Sequence, residues 1–227
     1  MSNKYIFHSR ISEHDFRRII RYFSVNIEAS KIAILTGLSR NTINRISSAV
    51  RRRIAECCEL DSPFKCGEVE LDESCFGARR VRGIRGRGVK GKTIVFGLIK
   101  RRDRVYTQVV KNCSVKKLLP IIQRKVDTEL IVYTDGFKSY DGLVNFGYRK
   151  HYRIHHRNNE FTVGRNHING IENFWSIAKV RLSKFRGIHK STFYLHLKEC
   201  EFRFNHRHEN LYQILLKMFR KRPINLS

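Results

Sequence analysis

Along residues 12–58 the apolar positions recur at helical spacing, as Phe16, Ile19, Ile20 and Phe23, then Ile32, Ala33 and Leu35, then Ile43, Ile46 and Val50. Ser12, with Asp15 three residues on, marks the first helix start. Gly37-Leu38-Ser39 interrupts the pattern, and Ser39 caps a third helix that carries Thr42 and Ile43. Ala33 is small enough for a close helix crossing and Gly37 tolerates the turn, which predicts a helix-turn-helix over residues 1–60. Asp61-Ser62-Pro63 reads as a linker. Beyond it the pattern changes to short β-branched and apolar runs at 68–74, 93–100 and 104–111, which predict strands. Helical spacing returns from Ser114 to about Val126, with Val115, Leu118, Leu119 and Ile122 on one face. An apolar strand at 130–134 ends on Asp135, and another strand-like stretch lies near 148–155. Helices are then expected over about 169–185 and 191–205. The order predicts an α/β domain over 66–206. Its first three strands pair as a meander and the later ones add by crossover, in a mixed sheet flanked by helices. Residues 207–227 are expected as a basic C-terminal tail.

Charge narrows the function classes. The chain has 227 residues, with 46 Lys+Arg against 20 Asp+Glu and a net charge of +26. That excess, spread along the chain, points to a polyanionic partner. The third predicted helix opens with Arg40, Asn41, Asn44 and Arg45, residue types that read base edges. Arg51, Arg52 and Arg53 follow and suit phosphates. Six cysteines form no C-x-x-C pair, which argues against a zinc ribbon and for reduced thiols. Met1 is followed by polar residues, and no apolar run approaches membrane-spanning length, so a cytoplasmic, nucleoid-associated protein with no membrane partner is expected.

In so cationic a chain, carboxylates at strand and helix ends stand out. Asp72 lies in Glu68-Val69-Glu70-Leu71-Asp72-Glu73, Asp135 ends its apolar run, and Glu172 opens an amphipathic helix. Hard oxygen donors from several elements suit Mg²⁺ or Mn²⁺. Two such ions roughly 3.5–4 Å apart can activate an attacking oxygen and stabilise the leaving one in phosphodiester chemistry. Glu70 shares the face of Asp72 under period two and is a possible accessory ligand. Trp175, the one tryptophan, is assigned to core packing. Residues 79–92 form a Gly-rich basic run in which Arg85, Arg87, Lys90 and Lys92 can contact phosphates. Within it Gly86-Arg87-Gly88-Val89-Lys90-Gly91-Lys92-Thr93 matches the nucleotide-binding P-loop literally. A P-loop needs a strand before it and a helix after it, whereas Thr93-Ile94-Val95-Phe96 reads as a strand, so no nucleotide cofactor is expected.

Three stretches together resemble the bacterial insertion-sequence transposases of the DDE type, related to the eukaryotic Merlin elements. They are Gly67-Glu68-Val69-Glu70-Leu71-Asp72-Glu73, Tyr133-Thr134-Asp135-Gly136-Phe137-Lys138-Ser139-Tyr140, and His167-Ile168-Asn169-Gly170-Ile171-Glu172-Asn173-Phe174-Trp175-Ser176-Ile177-Ala178-Lys179. The resemblance covers roughly residues 66–206. It implies a ribonuclease-H-like catalytic domain with Asp72, Asp135 and Glu172 as catalytic metal ligands, Asn169 as the alternative third ligand, and Lys179 as a DNA contact. It also implies a homodimer that synapses two element ends, binds terminal inverted repeats and target double-stranded DNA, and carries out metal-dependent cleavage and strand transfer. Two other classes fit the same residues: a sequence-specific DNA-binding protein with an inactive second domain, which would bind ends without cutting, and a ribonuclease-H-like nuclease, which would cut without end specificity.

Overall fold

The computed structural model describes residues 3–7, 9–60, 64–77, 92–135, 147–148, 150–154, 168–185 and 187–226. The basic run with Arg85, Arg87 and Lys90, the P-loop-like stretch up to Gly91, the segment from Gly136 to Tyr140, and His167 lie outside these described residues. The chain divides into two compact units, one of residues 1–59 with 206–227 and one of residues 60–205.

In the first unit, β1 (Ile6–Phe7) precedes helices α1 (Glu13–Ser24), α2 (Ala29–Thr36) and α3 (Arg40–Leu60). Ser12 caps α1 as its spacing to Asp15 suggests, its Oγ accepting from the Asp15 N–H at 3.0 Å. Gly37 closes α2 at φ +73°, a left-handed conformation that carries little strain only without a Cβ. Phe16, Ile19, Ile20, Phe23, Ile32, Ile43, Ile46 and Val50 are buried as the helical spacing requires, whereas Leu35 stays half exposed. The segment expected as a basic tail is folded. It forms α7 (Leu211–Lys221) and β7 (Ile224–Asn225), and β7 pairs in parallel with β1. Leu215, Phe219 and Ile224 are buried, and the Phe219 ring meets Phe16 edge-on at 5.8 Å. Leu211, Leu215, Met218 and Phe219 form an apolar stripe at helical spacing, which the net charge of the segment disguised.

The second unit contains β2 (Glu68–Phe76), β3 (Thr93–Lys100), β4 (Val105–Val110), α4 (Val115–Lys125), β5 (Ile131–Asp135), β6 (Lys150–Ile154), α5 (Asn169–Ser183) and α6 (Lys190–Asn205). The five strands are ordered β4-β3-β2-β5-β6. The first three pair antiparallel, while β5 adds parallel to β2 and β6 parallel to β5. This meander extended by parallel crossovers, with helices on both faces, is the ribonuclease-H-like α/β architecture.

Alternation along β2 sorts its side chains. Val69 and Leu71 join Phe96, Leu98 and Val132 in a core beneath α4, which supplies Leu118, Ile121 and Ile122. Phe76, Val95, Ile99 and Tyr133 face the other way, onto Ile171, Phe174, Trp175 and Ala178 of α5 and Phe193 and Leu197 of α6. Buried polar groups tie α6 to β4. Thr107 donates through its N–H and Oγ1 to Glu201, and Lys198 Nζ donates to the Thr107 carbonyl at 2.8 Å. Among the described residues no helix is long and apolar enough to cross a membrane.

Candidate active site

Strand register brings the first two acids together. Parallel pairing of β2 with β5 runs from Glu68↔Ile131 to Leu71↔Thr134. One step further along both strands lie Asp72 and Asp135, adjacent and on the same face. Asp72 does not end its own strand, as the sequence suggested. β2 runs on to Phe76 because β3 pairs with it along its whole length, down to Phe76↔Thr93. Asp135 is the last residue of β5, so the pair lies where the end of β5 stands beside the middle of β2.

Asp72 is held from α5. The Trp175 indole Nε1 donates to its Oδ2 at 2.9 Å, while the ring is only 4% exposed. Trp175 therefore packs in the core, as its type suggested, and also orients a site carboxylate. Gly97, which pairs with Asp72 across β3, makes room for it: a Cβ there would lie 2.5 Å from the indole. Burial pushes the Asp72 carboxyl up to about 7, and the negative charges of Glu73 and Asp135 push in the same direction.

Glu70 has a different job from the accessory ligand its register suggests. It is fully buried, its Oε1 accepts from Arg101 Nε and its Oε2 accepts from the Ile171 N–H, each at 2.9 Å. The carboxylate thus anchors the first turn of α5, where anionic charge is favoured. Gly170 permits this approach, since a Cβ there would sit 2.9 Å from Glu70 Oε2.

These contacts place α5 along β2, with Ile171 beside Glu70, Trp175 at Asp72, and Lys179 Nζ 5.8 Å from the Phe76 ring. Glu172 and Lys179 are both exposed and flank Trp175 at i−3 and i+4. Phe174, on the opposite flank, packs on Phe204 of α6, and α6 covers β4. The Glu172–Lys179 flank is therefore the one turned toward β5 and Asp135. Asn169 is also exposed and lies about 120° from Trp175 around the helix, against about 60° for Glu172. Among the described residues no three His, Cys, Asp or Glu side chains converge on one point. The structure joins Asp72 to Asp135 and leaves Glu172 on the adjacent helix flank.

In the first unit Arg40, Asn41, Asn44 and Arg45 are exposed at the start of α3. Arg45 also donates to the Leu226 carbonyl at 2.9 Å, Arg51 stacks over Phe23, and Arg53 donates to the Arg222 carbonyl. Lys92 is half-buried opposite Gly77, where the strands of the β2–β3 connection meet.

Residues 66–205 match the family model described as the ISXO2-like transposase domain. An uncharacterized transposase-like protein of Haemophilus influenzae is 52% identical over 102 residues, 45% of this chain and 81% of that protein. An uncharacterized protein in transposable element ISH50 of Halobacterium salinarum is 27% identical over 207 residues, 83% of this chain and 68% of that protein. Among solved structures, the catalytic core domain of BIV integrase is similar over 66% of this chain and 93% of its own, at 15% identity and TM-score 0.41.

Proposed function

Because this chain belongs to the ISXO2-like transposase domain family, we propose that it binds the terminal inverted repeats of an insertion sequence and catalyses metal-dependent cleavage and strand transfer of DNA. The observation that carries the chemistry is the Asp72–Asp135 pair on neighbouring parallel strands. Two carboxylates crowded together and partly withdrawn from water favour a bound divalent cation, and their hard oxygens suit Mg²⁺ or Mn²⁺. Asp72, Asp135 and Glu172 are the proposed ligands, with Asn169 the alternative to Glu172. The smaller angle of Glu172 from Trp175 favours the glutamate. Such ions would supply activation of the attacking oxygen and stabilisation of the leaving one.

The chain's own groups prepare that chemistry. Trp175 holds Oδ2 of Asp72 and so fixes the orientation of the carboxylate. With its carboxyl pushed up to about 7, Asp72 is only partly ionised near neutral pH, and a bound cation would favour the ionised form. Glu70 fixes the start of α5, which sets the height of Glu172 above the pair. Lys179, about two turns further along the same flank, is placed to hold a phosphate of the DNA strand.

For end recognition we assign α2 and α3 as a helix-turn-helix, with Arg40, Asn41, Asn44 and Arg45 meeting base edges and phosphates. Lys92, with Arg85, Arg87 and Lys90, is assigned to backbone contacts. Synapsis of two ends makes a homodimer the expected working form, and kinship with the Merlin elements fits the same reading.

The test is cleavage of labelled DNA carrying the element's terminal repeat, in Mg²⁺ or Mn²⁺, by the wild type, Asp72→Asn and Glu172→Gln. Metal-dependent nicking at the repeat boundary, absent in both variants while repeat binding persists, is the expected result. Cleavage unaffected by Asp72→Asn would refute the assignment.

A further inference from the structure

Arg101, Tyr133 and Tyr152 form a stack that the cleavage chemistry does not use. The Arg101 guanidinium lies 3.8 Å from the centroid of the Tyr133 ring. Tyr133 in turn stacks on Tyr152, with centroids 5.4 Å apart and planes 21° from parallel. Arg101 is held by its ion pairs to Glu68 and Glu70, so the inner end of the stack is fixed. Tyr133 is buried, whereas Tyr152 is 38% exposed. Tyr152 belongs to β6, the last strand of the order β4-β3-β2-β5-β6, and among the described residues no further strand pairs with its outer side.

Register places this ring beside the acids. Tyr152 pairs with Tyr133, two residues before Asp135 on the same face. Two residues along a strand and one strand across put the Tyr152 Cα about 8 Å from that of Asp135. Lys150, two residues before Tyr152 on β6 and on the same face, is exposed and adds a cation next to the ring.

A part-exposed aromatic face, backed by a second ring and an arginine and flanked by a lysine, has the composition of a stacking platform for a nucleobase. Bases inside a duplex already stack on one another, so such a face takes an unpaired one. We propose that Tyr152 is a binding residue for an unpaired base of the DNA strand held at Asp72 and Asp135, with Tyr133 and Arg101 as its rigid backing. The proposal rests on the DNA reading above. It adds that the strand is presented with a base splayed from the helix next to the scissile phosphate. Stacking tolerates any base, so the contact sets geometry rather than sequence.

The experiment uses the full chain with Ca²⁺ in place of Mg²⁺. It compares binding of a short blunt duplex with that of the same duplex extended by a single-stranded 3′ tail containing 5-iodouracil. The wild type should prefer the tailed duplex by roughly tenfold, the scale of one stacked base. Tyr152→Phe should keep that preference and Tyr152→Leu should lose it, with blunt-duplex binding equal in all three. Irradiation should crosslink the tail to the wild-type peptide that contains Tyr152. Wild type with no preference for the tail, or a crosslink confined to other peptides, overturns the platform without reference to any variant. A preference that survives in Tyr152→Leu overturns it too. Failure of the wild type to bind either duplex sinks the DNA reading itself, a different result from binding both equally.

Discussion

Trp175 and Asp72 show how one hydrogen bond can divide packing from chemistry. Trp175→Phe keeps most of the ring in its place beneath α5 but removes the N–H that donates to Asp72 Oδ2. With that orienting donor gone, the apparent Mg²⁺ affinity should fall about 10–100-fold while cleavage at saturating metal falls much less. A metal titration of cleavage rate would separate the two effects, and an unchanged half-saturating Mg²⁺ concentration would leave Trp175 a purely structural residue. The raised Asp72 carboxyl gives a second outcome, because its folded-state value of about 7 exceeds the ordinary carboxylate range. Its contribution to stability is complete at low pH and is lost as pH rises through 7. Without metal the catalytic unit should melt at lower temperature at about pH 8 than at about pH 6, and Asp72→Asn should flatten that dependence. Added Mg²⁺ should reverse the loss at the higher pH, which calorimetric scans with and without metal would check. Asp72 as a candidate ligand was legible in the sequence from its type and neighbours. Its hydrogen bond to a residue 103 positions away was not.

At the scale of elements, α5 and the sheet fit through two glycines. Gly97 lets the indole lie against β3, and Gly170 lets the first turn of α5 approach the Glu70 carboxylate. Gly97→Ala would place a methyl group 2.5 Å from Trp175, and the ring has rigid neighbours in Phe76 and Phe174 at 5.9 and 5.1 Å. The substitution should destabilise the unit by about 1–3 kcal/mol through overpacking and should reduce cleavage more than the stability loss alone explains. Parallel measurements of urea unfolding and cleavage would show this; wild-type cleavage in a stable Gly97→Ala protein would mean that the Trp175–Asp72 contact is not needed. The helices and strands themselves were legible to within a few residues because their apolar periods are local. β2 was read two residues short, since its extension past Ser74 depends on pairing with β3. Ser114 stands at the N-terminal cap position of α4 as expected, yet its hydroxyl donates to Asn112 Oδ1 at 2.8 Å and does not bond the helix N–H groups.

For the whole molecule, the main revision concerns the C-terminus. Leu215, Phe219 and Ile224 complete the core of the unit that holds α1, α2 and α3, so this unit is built from both ends of the chain. Phe219→Ala should cost that unit about 3–5 kcal/mol and abolish binding to the terminal repeat at 37 °C. The β2–α6 unit should melt as in the wild type, and scanning calorimetry together with a binding assay would test both statements. A variant that binds the repeat normally would mean that α3 does not need the C-terminal segment. By itself the sequence determined the order of elements, the cationic character and the three acidic motifs, because periodicity, charge and short motifs are properties of neighbouring residues. Only the tertiary structure decided that Asp72 meets Asp135 on a parallel pair, that Glu70 anchors α5, that Tyr152 ends an aromatic stack, and that residues 206–227 join the first unit. Each of these depends on strand register or on packing between segments far apart in the chain, and such partners are selected by the folded whole rather than by any local pattern.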